Sequence, residues 1–309
     1  MGIVVIGTAF MDVKGFPHDI YLPTGRNVGR VEYVHGGVAR NVVEDIANIE
    51  LRPTFVSIVD DTPLGTAIYE KLKNHKVNVD YVMTVANGMG TWLAVFDNNG
   101  DVAGSISSRP NFMPVLDLLE EKGDEIFAAA DSIVLQIDLT KEIVKKVIDL
   151  SEKHNKKVFA LVSNMSIAAE RRDFLKKLDC FICNQGEAGI LFVDDYNDKT
   201  PEELCNIISA NVNKANIPSM IVTMGEQGAV YAVMDGEKGV CPARKVHVKD
   251  TTGAGDAFCA GVSIGLTYGK SMAEAIEIGT HLAASVITSS ENVCPRFLPE
   301  ELGLDVKID

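Results

Sequence analysis

Residues 248–266 have the sequence VKDTTGAGDAFCAGVSIGL, in which a strand-like segment, a glycine turn and an apolar helix pattern follow one another directly. Phe258, Val262 and Leu266 recur at every fourth position, which predicts a helix over about 255–268. A glycine turn between a strand and a helix places uncovered peptide groups at the helix start. This stretch is therefore the first candidate for a functional element.

The turn Gly253-Ala254-Gly255 leaves consecutive N–H groups free of side-chain cover. At the positive end of a helix, such groups form an anion site that suits a phosphoryl group during transfer. Asp256 lies in the first helical turn beside them, where the helix terminus favours the ionised carboxylate. It is the candidate base for a substrate hydroxyl. The alternative interpretation is a tight turn with an aspartate that completes the helix cap.

Composition narrows the classes of function. Of the 309 residues, 46% are apolar, and the formal charge of −14 argues against a general nucleic-acid binder. The N-terminal stretch MGIVVIGTAF is typical of a first strand rather than a signal peptide, and no apolar run reaches the roughly 18–20 residues that span a bilayer. We therefore expect a cytoplasmic protein without a nucleic-acid or membrane partner. Cys180 and Cys183 are expected to be reduced core thiols.

Strand and helix patterns alternate along most of the chain. The predicted strands are 3–6, 54–59, 132–137, 157–162, 180–183, 219–224 and 228–234, and helices are predicted from 42 and over 64–74, 140–153, 167–177, 201–214, 255–268 and 272–289. Such repeated units predict an α/β fold with a parallel sheet covered by helices on both faces. Between 79 and 106, alternation around Asn99-Gly100 predicts an antiparallel pair outside that sheet.

Two motifs resemble those of a known family. The stretch DTTGAGDAFCAG (250–261) resembles the C-terminal signature of the ribokinase-like, or phosphofructokinase-B, carbohydrate kinases, and GGVARN (36–41) resembles their other signature. The resemblance implies a single domain over 1–309 with the ribokinase-like three-layer α/β/α sandwich and a mostly parallel central sheet. It also implies a small β-sheet lid formed by about 13–34 and 79–108. Neither a P-loop nor a strand-linked G-x-G-x-x-G competes with this assignment.

The resemblance further implies ATP-dependent phosphorylation of a primary hydroxyl on a small sugar or nucleoside substrate. In that family, the aspartate matching Asp256 is the base, and the residues matching Gly253, Ala254 and Gly255 form the anion hole. The residues expected to bind the sugar are Asp12, Gly36, Gly37, Asn41 and Asp138. From the residues alone, a turn aspartate and a helix-start asparagine remain the alternatives for Asp12 and Asn41.

The subfamily resemblance is to the pseudouridine kinases. It rests on GTAFMDVKG (7–15), on NVGRVEYVHGGVARNVVEDIAN (27–48) and on Arg40, which we expect to contact the substrate. Val38 stands where a ribokinase would carry lysine. Phosphorylation of the ribose 5′-hydroxyl of pseudouridine is therefore the expected activity. The alternatives are another sugar or nucleoside kinase, resembling ribokinase, fructokinase or adenosine kinase, and a non-catalytic ligand-binding regulator.

Three further groups of residues match family positions. Asn184 and Glu187 match an N-x-x-E motif associated with Mg²⁺ through water, although a helix cap explains the same pattern. The expected nucleotide-side residues, together with Asn184, are Thr223, Gly225 and Gly228. Asp250 and Thr252 lie where relatives hold a monovalent cation, so K⁺ is a further expected cofactor beside ATP and Mg²⁺.

Two features concern the rest of the pocket and the lid. The family's D-P-V-S is replaced by Ala160-Leu161-Val162-Ser163, which argues against an acidic residue there. Trp92 and Phe96 alternate on the predicted hairpin, where such residues commonly pack against the domain. In the family the lid frequently also forms a dimer clasp, and we therefore expect a homodimer through the lid.

Overall fold

The computed structural model describes residues 2–306, whose strands form two sheets. In chain order the strands are β1 (Val4–Ile6), β2 (Phe10–Pro17), β3 (Gly29–Gly36), β4 (Thr54–Val59), β5 (Asn78–Thr84), β6 (Gly90–Phe96), β7 (Val102–Ser108), β8 (Ser132–Gln136), β9 (Lys157–Leu161), β10 (Cys180–Asn184), β11 (Ser219–Thr223), β12 (Ala229–Val233) and β13 (Lys238–Cys241). The central sheet has the order β13-β12-β11-β10-β9-β8-β1-β4-β5. All neighbours from β5 to β11 pair in parallel, whereas β12 and β13 add an antiparallel edge.

The helices cover both faces of the central sheet. They are α1 (Val38–Asn48), α2 (Pro63–Asn74), α3 (Met113–Ala129), α4 (Lys141–His154), α5 (Met165–Ala168), α6 (Arg172–Leu175), α7 (Gln185–Phe192), α8 (Pro201–Ala215), α9 (Ala254–Thr267) and α10 (Met272–Ile287). Successive residues of a strand point to opposite faces, so Val5 packs with α1, α2, α9 and α10, whereas Val4 and Ile6 pack with α3, α4, α7 and α8. These layers confirm the predicted α/β/α sandwich.

The second sheet has four strands in the order β3-β2-β6-β7, and we call it the lid sheet. Strand β2 pairs antiparallel with β3 and parallel with β6, and β6 and β7 form an antiparallel hairpin. The hairpin turn is closed by a hydrogen bond from Asp97 N–H to Asp101 O at 2.8 Å, and Gly100 has φ 86°. The predicted hairpin at Asn99-Gly100 is therefore confirmed.

Two predicted elements were wrong. Residues 79–84, expected in the lid, belong to β5, which pairs in parallel with β4 at the edge of the central sheet. Val79 and Val82 of β5 are buried, whereas Tyr81 and Met83 are only partly buried against the other helix layer, and such an edge strand resembles a lid strand in sequence. The predicted helix 167–177 is broken into α5, a 3₁₀ turn and α6. The buried Arg171 fixes that turn by donating from Nε to Leu139 O at 3.2 Å.

The cysteine prediction is confirmed. All six cysteines are free, and Cys180 and Cys183 are buried in β10. Burial raises the pKa of Cys180 to about 12 and also raises that of Cys183 well above its usual range, so neither thiol ionises readily. Among residues 2–306, no helix combines the length and apolar character that crossing a membrane requires.

Candidate active site

The N-terminus of α9 carries the glycine turn. Gly253 has φ 83° and precedes the helix without a side-chain cap, whereas hydroxyl side chains of Thr200 and Ser271 cap α8 and α10. The first N–H groups of a helix have no intrahelical acceptor, so those of Gly255 and Asp256 remain free for another group. This helix end has the geometry of an anion site.

Gly253 is fixed by a close backbone approach. A Cβ at this position would lie 2.1 Å from the carbonyl oxygen of Asn292, and the positive φ disfavours any side chain. At Gly255, by contrast, a Cβ would meet no atom within 4 Å. The first glycine is thus required by the packing of the turn, and the second leaves open space above the free N–H groups.

Asp256 is paired with Asn41 across the two helices α9 and α1. Asn41 Nδ2 donates to Asp256 Oδ2 at 2.6 Å. Burial is the main cause that raises the pKa of Asp256 from 3.8 to about 7. The negative charges of Asp12 and Glu187 also raise this pKa, whereas the Asn41 hydrogen bond and the positive charge of Arg40 lower it. Burial therefore outweighs the helix terminus that we expected to favour the carboxylate. A base whose pKa lies near neutrality is well matched to proton abstraction.

Asp12 and the glycine pair form the second part of the site. Asp12 lies on β2, and a Cβ on Gly36 would come within 2.4 Å of its Oδ1, so the carboxylate rests on the glycine backbone. Gly37 has φ 96°, and a Cβ at this position would lie 2.7 Å from Thr8 O. Burial raises the pKa of Asp12, against the opposing charges of Lys14 and Arg40. Asp12 is also close enough to Asp256 for the two carboxylates to repel each other.

Arg40 was predicted to contact the substrate, and the structure does not place it in the pocket. Its side chain is completely buried. The guanidinium donates to Glu44 Oε2 at 2.5 Å, to Gly36 O at 3.3 Å and to His35 O. These bonds fix the backbone that leads into the glycine pair. Arg40 therefore stabilises the backbone of the site without lining the pocket.

Asp138 is likewise engaged by protein groups. The residue is buried, and its Oδ2 accepts from Arg109 Nη2 at 2.7 Å and from Ser163 Oγ at 2.7 Å. Its Oδ1 accepts from Ser163 N–H at 2.9 Å. Both carboxylate oxygens thus have protein donors, and the contact between Asp138 and the sugar stays a prediction.

Asn184 and Glu187 form a capping box at the start of α7. Glu187 N–H donates to Asn184 Oδ1 at 2.8 Å, and Asn184 N–H donates to Glu187 Oε2 at 2.7 Å. Glu187 Oε1 has no protein donor within residues 2–306 and can still accept water or face a metal. Burial raises the pKa of Glu187, and the hydrogen bond from Asn184 opposes the rise. No cluster of three or more His, Cys, Asp or Glu side chains that could hold a metal occurs among the described residues.

The predicted nucleotide-side residues lie next to this capping box. Thr223 at the end of β11 is the register partner of Asn184 at the end of β10. Gly225 and Gly228 follow with φ 56° and 95°, and a Cβ on Gly225 would meet nothing within 4 Å. Gly225 thus leaves open space at the carboxyl edge of the parallel sheet, where ligands bind in open α/β folds, whereas a Cβ on Gly228 would lie 2.1 Å from Cys241 O.

Asp250 and Thr252 lie just before the glycine turn. Thr252 N–H donates to Asp250 Oδ1 at 2.8 Å. Burial alone would raise the pKa of Asp250, but this hydrogen bond and the charge of Lys14 bring it below its usual value. The Asp250 carboxylate is therefore ionised at neutral pH, which is compatible with the predicted monovalent cation.

The comparisons with known proteins agree with this geometry. The model of the family described as "pfkB family carbohydrate kinase" matches residues 2–294. The chain belongs to this family. A guanosine-inosine kinase of Exiguobacterium acetylicum is 34% identical over 302 residues, which cover 97% of this chain and 98% of the relative. A pseudouridine kinase of Escherichia coli is 24% identical over 275 residues, covering 89% and 86% of the two chains.

A solved structure shows the same fold. Ribokinase of Arabidopsis thaliana, complexed with ribose and ATP, superposes with a TM-score of 0.82 at 20% identity and covers 99% of each chain. This pfkB-family chain is therefore a kinase that uses an alcohol group of a sugar or nucleoside as acceptor.

Three residues near the pfkB signatures were not predicted from the sequence. Asn292 Nδ2 donates to His35 O at 2.8 Å and to Asn41 Oδ1 at 3.4 Å. Lys14 is buried on β2, two residues after Asp12, with no carboxylate within ion-pair distance among residues 2–306. Arg109 binds Asp138 at the end of the lid sheet. The alternation of β2 could have identified Lys14, but neither Asn292 nor Arg109 belongs to a local pattern.

Proposed function

We propose that the protein transfers the γ-phosphoryl group of ATP to the 5′-hydroxyl of a ribonucleoside. The observation that carries this proposal is the pair of Asn41 and Asp256 at the uncapped start of α9. A base with a pKa near 7 lies there beside free backbone N–H groups, and Asp12 faces it from the lid sheet. Phosphoryl transfer depends chiefly on positioning and on charge stabilisation, and this arrangement supplies both.

Each part of the site has a role in this reaction. Asp256 accepts the proton of the substrate hydroxyl, and the free N–H groups of Gly255 and Asp256 stabilise the negative charge on the transferring phosphoryl group, whereas Ala254 N–H donates to Thr251 O at 3.2 Å. Asp12 and Asn41 hold the ribose hydroxyls against the Gly36-Gly37 backbone. The lid sheet excludes water that would otherwise hydrolyse ATP.

The nucleotide and metal fit the carboxyl edge of the central sheet. When bound, ATP supplies the phosphoryl group and Mg²⁺ screens its charge. Within residues 2–306, Glu187 Oε1 has no donor, and Gly225 borders open space close to the register pair Asn184 and Thr223, which suits a metal held through water and phosphate. Asp250 and Thr252 would hold K⁺. Comparison of initial rates in K⁺ with those in tetramethylammonium tests that role.

Guanosine, inosine and pseudouridine are the candidate substrates. The relative named guanosine-inosine kinase shares 34% identity with this chain, whereas the relative named pseudouridine kinase shares 24%. The motif around Arg40 favours pseudouridine, but Arg40 does not reach the pocket. The higher overall similarity therefore puts guanosine and inosine first, with pseudouridine as the second candidate.

Substrate-dependent ATP consumption tests this function. The purified protein is assayed with guanosine, inosine, pseudouridine, adenosine, ribose and fructose, and the product is located by ³¹P NMR. We expect a nucleoside 5′-monophosphate. A sugar phosphate as the preferred product would replace the nucleoside assignment by a sugar kinase. No stimulation of ATP consumption by any of the six compounds would favour a ligand-binding regulator.

A homodimer through the lid sheet is the proposed assembly. Val13, Tyr33, Leu93 and Ile106 are register partners across all four strands and lie on the face opposite Asp12. Tyr33, Leu93 and Ile106 are 62%, 42% and 69% exposed, respectively. Such an apolar row on a sheet face is typical of a protein–protein contact. Trp92 and Phe96 lie on the other face, with Phe96 stacked on Phe16 at 4.7 Å.

A further inference from the structure

A cavity of about 260 Å³ lies where strands β1 and β2 meet the segment that follows β7. Its wall includes Thr8 after β1, Phe10 on β2 and Arg109 after β7. Phe10 lies two residues before Asp12 and therefore on the same face of the lid sheet. One wall of the cavity is thus built by the face of the lid sheet that carries Asp12.

The apolar part of the wall contains two aromatic side chains, Phe10 and Phe112, beside Pro110, Leu139 and Ile167. The ring of Phe10 packs against Gly90, where a Cβ would come within 2.4–2.6 Å of three ring atoms. Phe112 at the start of α3 is buried and lines the same cavity. Pockets with fixed aromatic walls accommodate flat heteroaromatic rings at low entropic cost. A free sugar would leave this wall uncovered.

The polar part of the wall presents hydrogen-bond donors. Arg109 is held by Asp138 at 2.7 Å and 3.3 Å and by Ser163 Oγ at 3.2 Å, all through its two terminal nitrogens. Its Nε–H has no acceptor among residues 2–306. Because Asp138 is buried and its oxygens are occupied, the guanidinium is fixed in place. The remaining Arg109 donors face a ligand in a defined orientation.

Asn111 adds a second donor. Its Oδ1 accepts the N–H of Met113 at 3.1 Å at the start of α3, which sets the orientation of the amide. Nδ2 is then the group left for a ligand in the cavity that Asn111 lines. Arg171 also lines the cavity but binds Leu139 O and Glu170. The wall as a whole therefore favours a ligand that carries hydrogen-bond acceptors.

We propose that this cavity binds the nucleobase of the substrate and that Arg109 and Asn111 select a base with a ring carbonyl oxygen. The proposal rests on the nucleoside kinase function and names its substrate class. Guanine, hypoxanthine and the uracil ring of pseudouridine all carry such an oxygen. Adenine carries an amino group at that position, so its N–H donors would face the N–H donors of Arg109 and Asn111. A site built to bond one group rejects an analogue that cannot make the bond.

The test compares inosine with adenosine and with purine riboside, which has no substituent at that position. For the unaltered protein, kcat/KM for inosine should exceed that for either analogue by at least about 10- to 100-fold, the range of one hydrogen bond to a charged group. Purine riboside lacks both the carbonyl oxygen and the amino group. Comparison with inosine therefore measures the lost hydrogen bond, and comparison with adenosine measures the repulsion of the amino group. Ribose serves as the substrate without a base.

Two variants test whether Asn111 and Arg109 select the base. Asn111→Asp keeps the acceptor for Met113 N–H and replaces the donor by an acceptor, and Asn111 is exposed, so folding is preserved. We expect kcat/KM for inosine to fall by about tenfold and that for adenosine to rise, so that the ratio of inosine to adenosine falls. Arg109→Lys keeps a cation beside Asp138 but loses the planar fork, and it should lower inosine turnover selectively. A melting curve for each variant checks the fold.

The outcomes distinguish the two proposals. If nucleosides are phosphorylated but the ratio of inosine to adenosine is the same in the unaltered protein and both variants, the base pocket is wrong and the kinase assignment stands. If only sugars are phosphorylated, both proposals fall. If Arg109→Lys does not fold, the ratio of inosine to adenosine kcat/KM in Asn111→Asp alone decides whether the base pocket is correct.

Discussion

Asn41 Nδ2 and Asp256 Oδ2 are 2.6 Å apart, although 215 residues separate them in the chain. The bond joins the first turn of α1 to the first turn of α9, so the two signature motifs of the sequence meet at one pair of atoms. A donor at this distance orients the carboxylate and stabilises its ionised form. The proposed base and the proposed sugar ligand therefore act as one unit.

Replacing Asp256 by Asn tests the base directly. The amide has the same shape but cannot accept the proton, so we expect kcat to fall by about 10²–10⁴-fold while substrate affinity changes little. Steady-state kinetics with isothermal titration of ATP and nucleoside measure both quantities. A variant that kept more than a tenth of kcat would show that another group removes the proton.

The pH dependence follows from the pKa of Asp256 of about 7. Because the ionised form is active, kcat/KM should rise about tenfold per pH unit below 7 and level off above it. The folded-state pKa is raised, so this carboxyl lowers stability as pH increases from about 4 to about 7. Asp256→Asn should therefore gain stability relative to the unaltered protein over that window. Urea unfolding at pH 5 and pH 8 measures the difference, and an equal difference at both values would contradict it.

Gly253 and Gly255 form a matched pair of sites. At Gly253 the positive φ and the 2.1 Å approach to Asn292 O forbid a side chain, so Gly253→Ala should lose about 1–3 kcal/mol or more of folding free energy. At Gly255 a methyl group meets no protein atom, and Gly255→Ala should fold with unchanged or higher stability. If phosphate approaches the free N–H groups, Gly255→Ala should still lower kcat by about tenfold or more. Full activity of Gly255→Ala would remove the anion site from the mechanism.

Asn292 should act through Asn41. When the Asn292 side chain is removed, His35 O and Asn41 Oδ1 each lose a hydrogen-bond donor. The hydrogen bond from Asn41 to Asp256 is then less well oriented. Because that bond lowers the pKa of Asp256, Asn292→Ala should shift the acidic limb of the kcat/KM profile to higher pH and lower kcat/KM by about tenfold. Asn48→Ala is the matched control, since Asn48 is also buried and also ties α1 to this segment, through Cys294 O at 2.7 Å. Identical pH profiles of the two variants would leave Asn292 with a structural role only.

Much of the fold could be predicted because its signals are local. The apolar run at 132–137 and the helical spacing of Phe258, Val262 and Leu266 need no knowledge of distant residues, and both elements lie where expected. The glycine turn is also local, since a positive φ at Gly253 depends on few neighbours. The edge strand β5 was misplaced because a partly buried edge strand resembles a lid strand in sequence.

The site could be predicted only in part because its remaining partners are distant in sequence. Asp256 and Asn41 were found from motifs, whereas the contact between Asn41 and Asn292 spans 251 residues without a pattern. Arg40 follows a glycine pair and looks like a ligand in the sequence, yet Glu44 one helical turn later keeps it in the core. The spacing of four residues is compatible with a surface pair or a buried pair, and only the packing decides between them.

The exposed face of the lid sheet yields the last prediction. Ile106 and Tyr33 lie on the apolar row opposite Asp12, so a lysine there would have to be buried in a dimer. We expect Ile106→Lys and Tyr33→Lys to sediment as monomers when the unaltered protein sediments as a dimer. Ile190→Lys is the control, because Ile190 on α7 is similarly exposed at 51% and lies outside the lid sheet. A dimer that survives both lid substitutions, or an unaltered protein that is monomeric at micromolar concentration, would contradict assembly through this face.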